Sequence, residues 1–245
     1  MHPTVTTISR RDKPGIAAQP MIFIVDFDGT LAPRDALDSL LARFASPHWQ
    51  ALEADWQAGR ITPRTCIQAQ IRLVEASRLE LEAFFHDIEL DPGFAEFCRA
   101  AQPLGEVAIV SDGLDYPIRL LMDKGRLPKL RSYANKLHFS PHGLDLSFPF
   151  ASHDCHAGSG TCKCRVAQNL AERFNGPVVL IGDGRSDFCL AGQADRVFAK
   201  SALRRHCEAQ NIAHFPFETF DDVRRELQRW EASPARPTLQ HAGAL

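Results

Sequence analysis

Residues 21–30 read MIFIVDFDGT and decide the fold that we expect for this chain. The first five of them are apolar and mostly β-branched, as a short strand buried on both faces of a sheet requires. Two aspartates, Asp26 and Asp28, follow at once, with Phe27 between them. A buried strand that ends in an acidic turn is typical of α/β proteins whose functional site lies where parallel strands end.

The same pattern recurs further along the chain. Residues 106–110 (EVAIV) and 177–181 (PVVLI) are apolar runs that lead into the acidic turns SDG and GDGRSD, and residues 195–199 (DRVFA) form a weaker fourth run. We therefore expect an α/β fold with a Rossmann-like parallel sheet as its core. The other elements predicted in this part are helices over residues 163–174 and 219–230 and a small β-hairpin within residues 131–150.

A long helical stretch separates the first two predicted strands. Apolar residues recur at helical spacing in residues 35–44, and both Thr62-Pro63 and Asp91-Pro92 carry a helix start signal, a capping side chain followed by proline. A crossover between parallel strands needs one helix, whereas this stretch has room for three to five. We therefore expect an inserted helical cap subdomain over residues 35–104.

These elements also predict the remaining domain boundaries. Residues 21–34 and 105–232 should form the α/β core. Residues 1–20 and 233–245 are polar, contain prolines and show no periodicity, so we expect flexible arms at both ends.

Length and composition limit the classes that this chain can join. Its 245 residues carry 28 lysines and arginines against 30 aspartates and glutamates, a formal net charge of −2, so we expect no nucleic-acid and no membrane partner. No apolar run approaches the roughly 20 residues of a membrane span. The seven cysteines are an odd number in a chain too long for a disulfide scaffold, which favours a reducing, cytoplasmic location.

Acidic side chains concentrate where two of the predicted strands end. Asp26 and Asp28 follow the first strand, while Asp183 and Asp187 follow the strand at residues 177–181. Neighbouring carboxylates repel one another unless a cation neutralises them, and Mg²⁺ prefers oxygen ligands of this kind. Because adjacent parallel strands end at the same edge of a sheet, the four aspartates predict a magnesium site there.

Groups that can hold an anion accompany these carboxylates. Ser111 offers a hydroxyl at the end of the second strand, and Gly113 lets backbone N–H groups approach a ligand. Lys163 opens a predicted helix and adds a positive charge. Each residue alone has an ordinary structural explanation, such as helix capping by Asp. Together, a carboxylate nucleophile, a cation and these donors favour transfer of a phosphoryl group.

The ordered set of residues resembles a known family. The stretch DFDGT at 26–30, Ser111, Lys163 and the stretch GDGRSD at 182–187 are similar to the four motifs of the haloacid dehalogenase superfamily. A helical cap between the first two motifs resembles its phosphoserine-phosphatase-like branch, and stretches such as DPGFAEF resemble the methionine-salvage phosphatases within that branch. The resemblance implies a Mg²⁺-dependent phosphomonoesterase that hydrolyses a small phosphorylated metabolite.

The resemblance also implies a role for each motif residue. Asp26 would attack phosphorus and form an aspartyl phosphate, and Asp28 would protonate the leaving oxygen and then activate water. The implied metal ligands are Asp26, the backbone carbonyl of Asp28, and Asp183, with Asp187 in support. The implied phosphate-binding residues are Ser111, Gly113 and Lys163, with Thr30 to orient the Asp28 side. Many relatives have SGG where this chain has SDG, so Asp112 departs from the family pattern.

Two residues at the start of the insertion are candidates for substrate binding. Asp35 lies nine residues after Asp26, where the phosphoserine-phosphatase-like branch has an acidic residue in contact with substrate. Helix capping is the alternative explanation for Asp35, and Arg34 is a second candidate. The substrates left open are 2-hydroxy-3-keto-5-methylthiopentenyl-1-phosphate, phosphoserine, phosphoethanolamine or phosphocholine, and pyridoxal phosphate.

Residues 153–164, HDCHAGSGTCKC, are unusually rich in cysteine and histidine. Thiolate and imidazole suit tetrahedral Zn²⁺, so one interpretation is a structural zinc site with the ligands Cys155, Cys162, Cys164, His153 and His156. The cysteine spacing differs from that of a zinc knuckle. The alternatives are a redox-labile disulfide and unliganded thiols that shape the phosphate loop. Cys66 and Cys98 fall on apolar helical faces and are expected in the core.

Two other functional classes are compatible with an acidic strand-end site. A phosphotransferase on the same fold would pass the phosphoryl group to a second substrate, and a response-regulator receiver would hold it without catalysis. A receiver has about half this length and no large helical insertion, so we favour the phosphatase. For the oligomeric state, both a monomer and a homodimer are compatible with the sequence.

Overall fold

The sheet has the parallel core that the sequence predicts. The computed structural model describes residues 19–125 and 127–232. The strands within them are Met21–Val25 (β1), Gly105–Leu114 (β2), Arg131–Ser140 (β3), Gly143–Ser147 (β4), Val178–Gly182 (β5), Arg196–Ala199 (β6) and Phe215–Pro216 (β7). They form one sheet in the order β4-β3-β2-β1-β5-β6-β7, in which only β3 and β4 pair antiparallel.

Helices cover the sheet and fill the insertion. Those of the described residues are Ala36–Phe44 (α1), Trp49–Gln57 (α2), Pro63–Ile71 (α3), Arg78–His86 (α4), Phe94–Ala101 (α5), Asp115–Lys124 (α6), Lys163–Phe174 (α7), Phe188–Ala191 (α8), Ser201–Ala209 (α9) and Phe220–Ala232 (α10). None of these helices is long and apolar enough to cross a membrane. The tail expected at 233–245 and residues 1–18 of the expected arm lie outside the described residues.

The four predicted strands and the β-hairpin are confirmed. β1 lies between β2 and β5, which explains why all five of its residues are apolar and buried. Its alternate side chains pack on opposite faces: Phe23 packs with Phe97 of α5, and Ile24 belongs to a second cluster with Val166 of α7. β2 is longer than predicted, because it continues through Ser111 to Leu114. β7 was not predicted, since two residues carry no periodicity.

Of the two helix starts predicted within the insertion, the one at Thr62 has the expected cap and the one at Asp91 does not. Thr62 caps α3 as predicted, because its hydroxyl accepts the N–H of Thr65, and Pro63 is the first helical residue. Asp91 does not cap α5, whose N-cap is Gly93. The buried Asp91 carboxylate instead accepts the N–H groups of Gly93, at 2.8 Å, and of Phe220, at 3.2 Å. Asp91 therefore ties the end of the insertion to the start of α10.

The helix α5 falls within the stretch expected as the cap, but it packs against a helix of the expected core. Phe94 and Phe97 of this helix pack against Phe220 of α10, with ring centroids 4.9 and 5.0 Å apart. The two aromatic side chains are fully buried in the main core under the sheet. α5 therefore packs on α10, and the position of the boundary between cap and core stays a prediction.

Candidate active site

Parallel pairing of β1 with β2 and β5 brings the sequence motifs to one edge of the sheet. The Lys163 ammonium, at the start of α7, lies 2.7 Å from Asp26 Oδ1 and 2.6 Å from Asp187 Oδ1. It also donates a hydrogen bond to the hydroxyl of Ser186 at 2.9 Å. Asp26, Lys163 and Asp187 are all buried. Charged groups from three separate segments of the chain are therefore in contact with one another in the interior of the protein.

Three carboxylates have the arrangement of a metal site. Asp26, Asp183 and Asp187 each offer an oxygen, and these oxygens lie within 4.8 Å of one another. Within the described residues, no other set of His, Cys, Asp or Glu side chains meets this condition. Three carboxylates against the one ammonium of Lys163 leave a formal charge of −2, which a divalent cation would neutralise. The all-oxygen donor set therefore fits Mg²⁺.

The acidities of these groups reflect the same excess of negative charge. Burial and the charge of Asp187 raise the pKa of Asp183 to about 6, although Thr30 donates a hydrogen bond to it. Burial and Asp187 also raise the pKa of Asp26 well above its usual range. Burial alone would lower the pKa of Lys163, but Asp187 and Asp26 outweigh it and raise that pKa. Lys163 stays charged, and the charge of Lys200 also lowers the pKa of Asp183, but burial and Asp187 outweigh these two cations.

Asp28 lies apart from the carboxylate trio. Its Oδ1 accepts the N–H of Ala36 at 2.8 Å. Burial, followed by the nearby charge of Asp35, raises the pKa of Asp28 to about 8. A β-carbon built on Gly113 would lie 2.3 Å from Asp28 Oδ2, so only glycine lets this carboxyl group reach its place. Near neutral pH this carboxyl group can carry the proton that a general acid needs.

Of the predicted phosphate-binding residues, Ser111 and Lys163 lie near Asp26, whereas Thr30 contacts a different carboxylate. Ser111 is buried, lines the cavity above Asp26, and its hydroxyl accepts the N–H of Gly113 at 2.9 Å. Lys163 lies beside Asp26, as described above. Thr30 differs from the expectation that it orients the Asp28 side: its hydroxyl is fully buried and donates to Asp183 Oδ1 at 2.9 Å. Thr30 therefore supports the carboxylate trio.

A cavity of about 540 Å³ opens above Asp26 and Asp28. The insertion supplies one side of it. Three of the lining residues on that side are acidic: Asp35, the N-cap of α1, Asp38 of α1 and Glu53 of α2. The apolar lining residues on that side include Leu37, Trp56 and Ile67. We call Asp35, Asp38 and Glu53 the acidic wall. Arg185 is the one lysine or arginine among the described lining residues, and its guanidinium lies over the Trp56 ring, 5.2 Å from the centroid.

Sequence reasoning found only part of this wall. Asp35 caps α1 through the N–H of Asp38, at 2.8 Å, and it also lines the cavity, where a substrate contact stays a prediction. Arg34 is exposed and donates to the Ser39 hydroxyl, outside the cavity lining. Asp38 and Glu53 were missed. Their only sequence signal is weak, since Asp38 lies one helical turn after Asp35.

The cysteine–histidine run does not form the zinc site that was considered. His153 and His156 are exposed, whereas Cys162 is buried. No three ligand atoms of this run lie within 4.8 Å of one another. None of the seven cysteines takes part in a disulfide. Cys66 and Cys98 are buried, as expected, and Cys189 lines the cavity.

Comparison with known proteins agrees with this geometry. The profile of the haloacid dehalogenase-like hydrolase family matches residues 23–192. A protein of Geobacillus thermodenitrificans (strain NG80-2), named 2-hydroxy-3-keto-5-methylthiopentenyl-1-phosphate phosphatase, is 32% identical over 215 residues, which are 86% of this chain and 97% of the relative. The protein of the same name from Geobacillus kaustophilus (strain HTA426) is 34% identical with the same coverage. The chain belongs to the haloacid dehalogenase-like hydrolases, and within them it is a phosphoric monoester hydrolase.

Solved structures share the fold at lower identity. One, described as a phospho-aspartyl intermediate analogue of phosphoserine phosphatase, superposes with a TM-score of 0.65 at 19% identity and covers 87% of this chain and 99% of that one. A substrate-bound phosphoserine phosphatase complex has a TM-score of 0.64, also at 19% identity and with the same coverage. These likenesses confirm an α/β core with an inserted helical region.

Proposed function

We propose that this protein is a Mg²⁺-dependent phosphomonoesterase that transfers the phosphoryl group of a small metabolite to Asp26 and then to water. The observation that carries the proposal is the position of Asp26 on the floor of the cavity, in contact with Lys163 and beside Asp183 and Asp187. These three aspartates would hold the Mg²⁺, which when bound supplies positive charge against the phosphoryl oxygens.

The first half-reaction uses Asp26 and Asp28. A carboxylate oxygen of Asp26 attacks phosphorus, and the bond from phosphorus to the ester oxygen breaks. The Asp28 carboxyl gives its proton to that leaving oxygen, so the alcohol departs neutral. Lys163 and Ser111 lie at the site of attack and would donate hydrogen bonds to the phosphoryl oxygens.

The second half-reaction restores the enzyme. Asp28, now a carboxylate, accepts a proton from a water molecule as that water attacks the phosphorus of the aspartyl phosphate. The bond between phosphorus and the Asp26 oxygen breaks, and inorganic phosphate leaves. The hydrogen bond from Ala36 to Asp28 Oδ1 leaves Oδ2 for both proton transfers.

For the substrate, two chemical classes have separate support. The relatives named above act on 2-hydroxy-3-keto-5-methylthiopentenyl-1-phosphate, whose leaving group bears no charge, and this ester is our first candidate. The acidic wall favours a second class, a phosphomonoester with an ammonium group such as phosphoethanolamine, phosphocholine or phosphoserine. No lysine or arginine of the described residues forms an ion pair with Asp35, Asp38 or Glu53.

The test is phosphate release from these esters and from pyridoxal phosphate, with Mg²⁺ and beside the Asp26→Asn variant. We expect the wild-type protein to hydrolyse one class of these esters and the Asp26→Asn variant to hydrolyse none of them. Absence of release from every ester by folded, metal-loaded protein contradicts the proposal. Release that depends on an added acceptor alcohol, with transfer of the phosphoryl group to it, identifies a phosphotransferase instead.

The cytoplasm is the location that we propose. Seven free cysteines, among them the half-buried Cys155 and Cys164, suit a compartment that keeps thiols reduced. Mass measurement of protein isolated with a thiol-blocking reagent tests this. Seven blocked thiols agree with the proposal, and a disulfide in the isolated protein contradicts it.

A further inference from the structure

Asp112, the residue that departs from the family pattern, is the centre of a largely buried polar network. Its Oδ1 accepts the N–H of Thr161 at 2.9 Å. The side-chain amide of Asn135 donates to the backbone carbonyl of Asp112 at 2.6 Å, and the Thr161 hydroxyl donates to Asn135 Oδ1 at 3.1 Å. Asn135 and Thr161 are no more than 1% exposed. The network therefore closes on itself and joins β2, β3 and the loop before α7.

That loop leads directly into the lysine of the site. Thr161 stands two residues before Lys163, the first residue of α7, and the N-cap of α7, Cys162, provides no side-chain cap. A β-carbon built on Gly160 would lie 2.4 Å from Asn135 Oδ1. The backbone of the loop therefore packs directly against Asn135, with no room for a side chain at residue 160. The backbone that leads to Lys163 is therefore held by the bonds of Thr161 to Asp112 and Asn135, and by the bond from the Cys162 N–H to the Phe150 carbonyl at 3.0 Å. It is not held by a side-chain helix cap.

Asp112 also lies between the two phosphate-binding positions of β2. Ser111 precedes it and Gly113 follows it, and both line the cavity together with Asp112. Asp112 is therefore next to Ser111 in the chain and hydrogen-bonded to the loop that leads to Lys163.

We propose that Asp112 is a positioning residue that sets the width of the phosphate cradle by clamping the Lys163 loop to the end of β2. The proposal rests on the proposed function, since the cradle is that of the phosphomonoesterase. Asp112 touches no reacting atom in this account. Its loss should let the loop and Lys163 move away from Ser111, which weakens phosphate binding and slows transfer.

The variants are Asp112→Ala, which removes the clamp, and Asp112→Asn, whose amide oxygen can still accept the N–H of Thr161. The matched control is Asp115→Ala. Asp115 lies three residues further on and holds β3 in the same manner, because its Oδ1 accepts the N–H of Leu137 at 2.9 Å, but it has no contact with the Lys163 loop. A second variant, Asp112→Leu, has a side chain of similar size that cannot accept the N–H of Thr161.

The measurements are kcat and KM with an aryl phosphate, and the dissociation constant of inorganic phosphate by calorimetry. For Asp112→Ala we expect kcat to fall at least about tenfold and phosphate to bind at least about fivefold more weakly, since misplacement by about 1 Å can cost a hundredfold in rate. Asp112→Asn should keep most of the wild-type kcat and most of the wild-type affinity for phosphate. Asp115→Ala should change thermal stability with little effect on kcat or phosphate affinity.

Equal kinetic effects of Asp112→Ala and Asp115→Ala would overturn the proposal, as would a lower melting temperature for Asp112→Ala with unchanged kcat and phosphate affinity. If Asp112→Ala does not fold, Asp112→Leu decides the question: a several-fold loss of phosphate affinity supports the clamp, and wild-type affinity contradicts it. If wild-type protein releases no phosphate from any ester, the proposed function fails, whereas the phosphate affinities still judge the clamp.

Discussion

The ends of β1 and β5 and the acidic wall opposite them both gather carboxylates, but they balance the charge differently. At the strand ends, Lys163 lies within 2.7 Å of Asp26 and Asp187, and the remaining charge of the trio fits a divalent cation. In the wall, the neighbouring charge of Asp38 helps burial to raise the pKa of Asp35 to about 6. The first region is therefore complete once metal and phosphate bind, whereas the second still lacks a cation.

This difference separates the reaction from its selectivity. The strand-end groups act on the phosphoryl group, which every phosphomonoester shares. The wall faces the part of the substrate that differs from one ester to the next. Variants of the two regions should therefore fail in different ways.

The nucleophile should show the largest effect. Asp26→Asn replaces the attacking carboxylate with an amide that cannot form the acyl phosphate, so we expect a loss of turnover of at least about a thousandfold. Phosphate release measures this, and circular dichroism serves as the folding control. Retention of more than a few per cent of wild-type turnover would contradict the assignment of Asp26.

The general acid should show an effect that depends on the leaving group. Asp28→Asn removes the proton donor, so alkyl phosphates should lose about 100-fold or more in kcat. An aryl phosphate with an acidic phenol needs no proton and should lose far less in the first half-reaction. The comparison uses rapid-quench measurement of alcohol or phenol release. Equal losses for the two kinds of ester would count against the acid role of Asp28.

The metal-free protein should lose stability as the pH rises. Asp183 has a pKa of about 6 and Asp28 one of about 8 in the folded protein, above the ordinary 3.8. The folded state therefore holds more protons than the unfolded state between about pH 4 and pH 8, and its free energy of unfolding falls across that window. We expect the melting temperature in chelator to fall from about pH 5 to about pH 8, and Mg²⁺ to raise it more at the higher pH.

Asp183→Asn provides the control for this pH dependence. It removes one of the titrating carboxylates and one metal ligand, so both the pH slope and the Mg²⁺ effect should shrink. A metal-free wild-type protein that becomes more stable across this range would show that the trio is not an uncompensated site.

The acidic wall should change selectivity more than rate. If an ammonium ester is the substrate, Glu53→Gln should lower kcat/KM for phosphoethanolamine about three- to tenfold and leave an uncharged ester almost unchanged. Asp55→Asn is the matched control, because Asp55 is also on α2 but pairs with Arg60 and does not line the cavity. If the ratio of kcat/KM between phosphoethanolamine and the uncharged ester is unchanged in Glu53→Gln, the substrate is not an ammonium ester. The uncharged enol phosphate is then the remaining candidate.

The same two regions differ in how far the sequence predicts them. β1, Asp26, Asp28 and Lys163 were predicted because the apolar run and the motif order are local, and parallel pairing brings them together. The partners of Thr30 and Asp91 were not, since Asp183 and Phe220 are distant in sequence. The wall residues Asp38 and Glu53 look like ordinary solvated helix positions, and only the packing of α1 to α3 places them around one cavity.

If Asp26 is the nucleophile, it becomes phosphorylated during turnover, and chemical trapping can detect this intermediate. Protein quenched during turnover and reduced with borohydride should carry homoserine in place of an aspartate, because borohydride reduces an acyl phosphate but not a free carboxylate. Peptide mass analysis should find this change at Asp26, and only when substrate and Mg²⁺ are both present. Reduction at another residue, or none during steady turnover, would contradict the account.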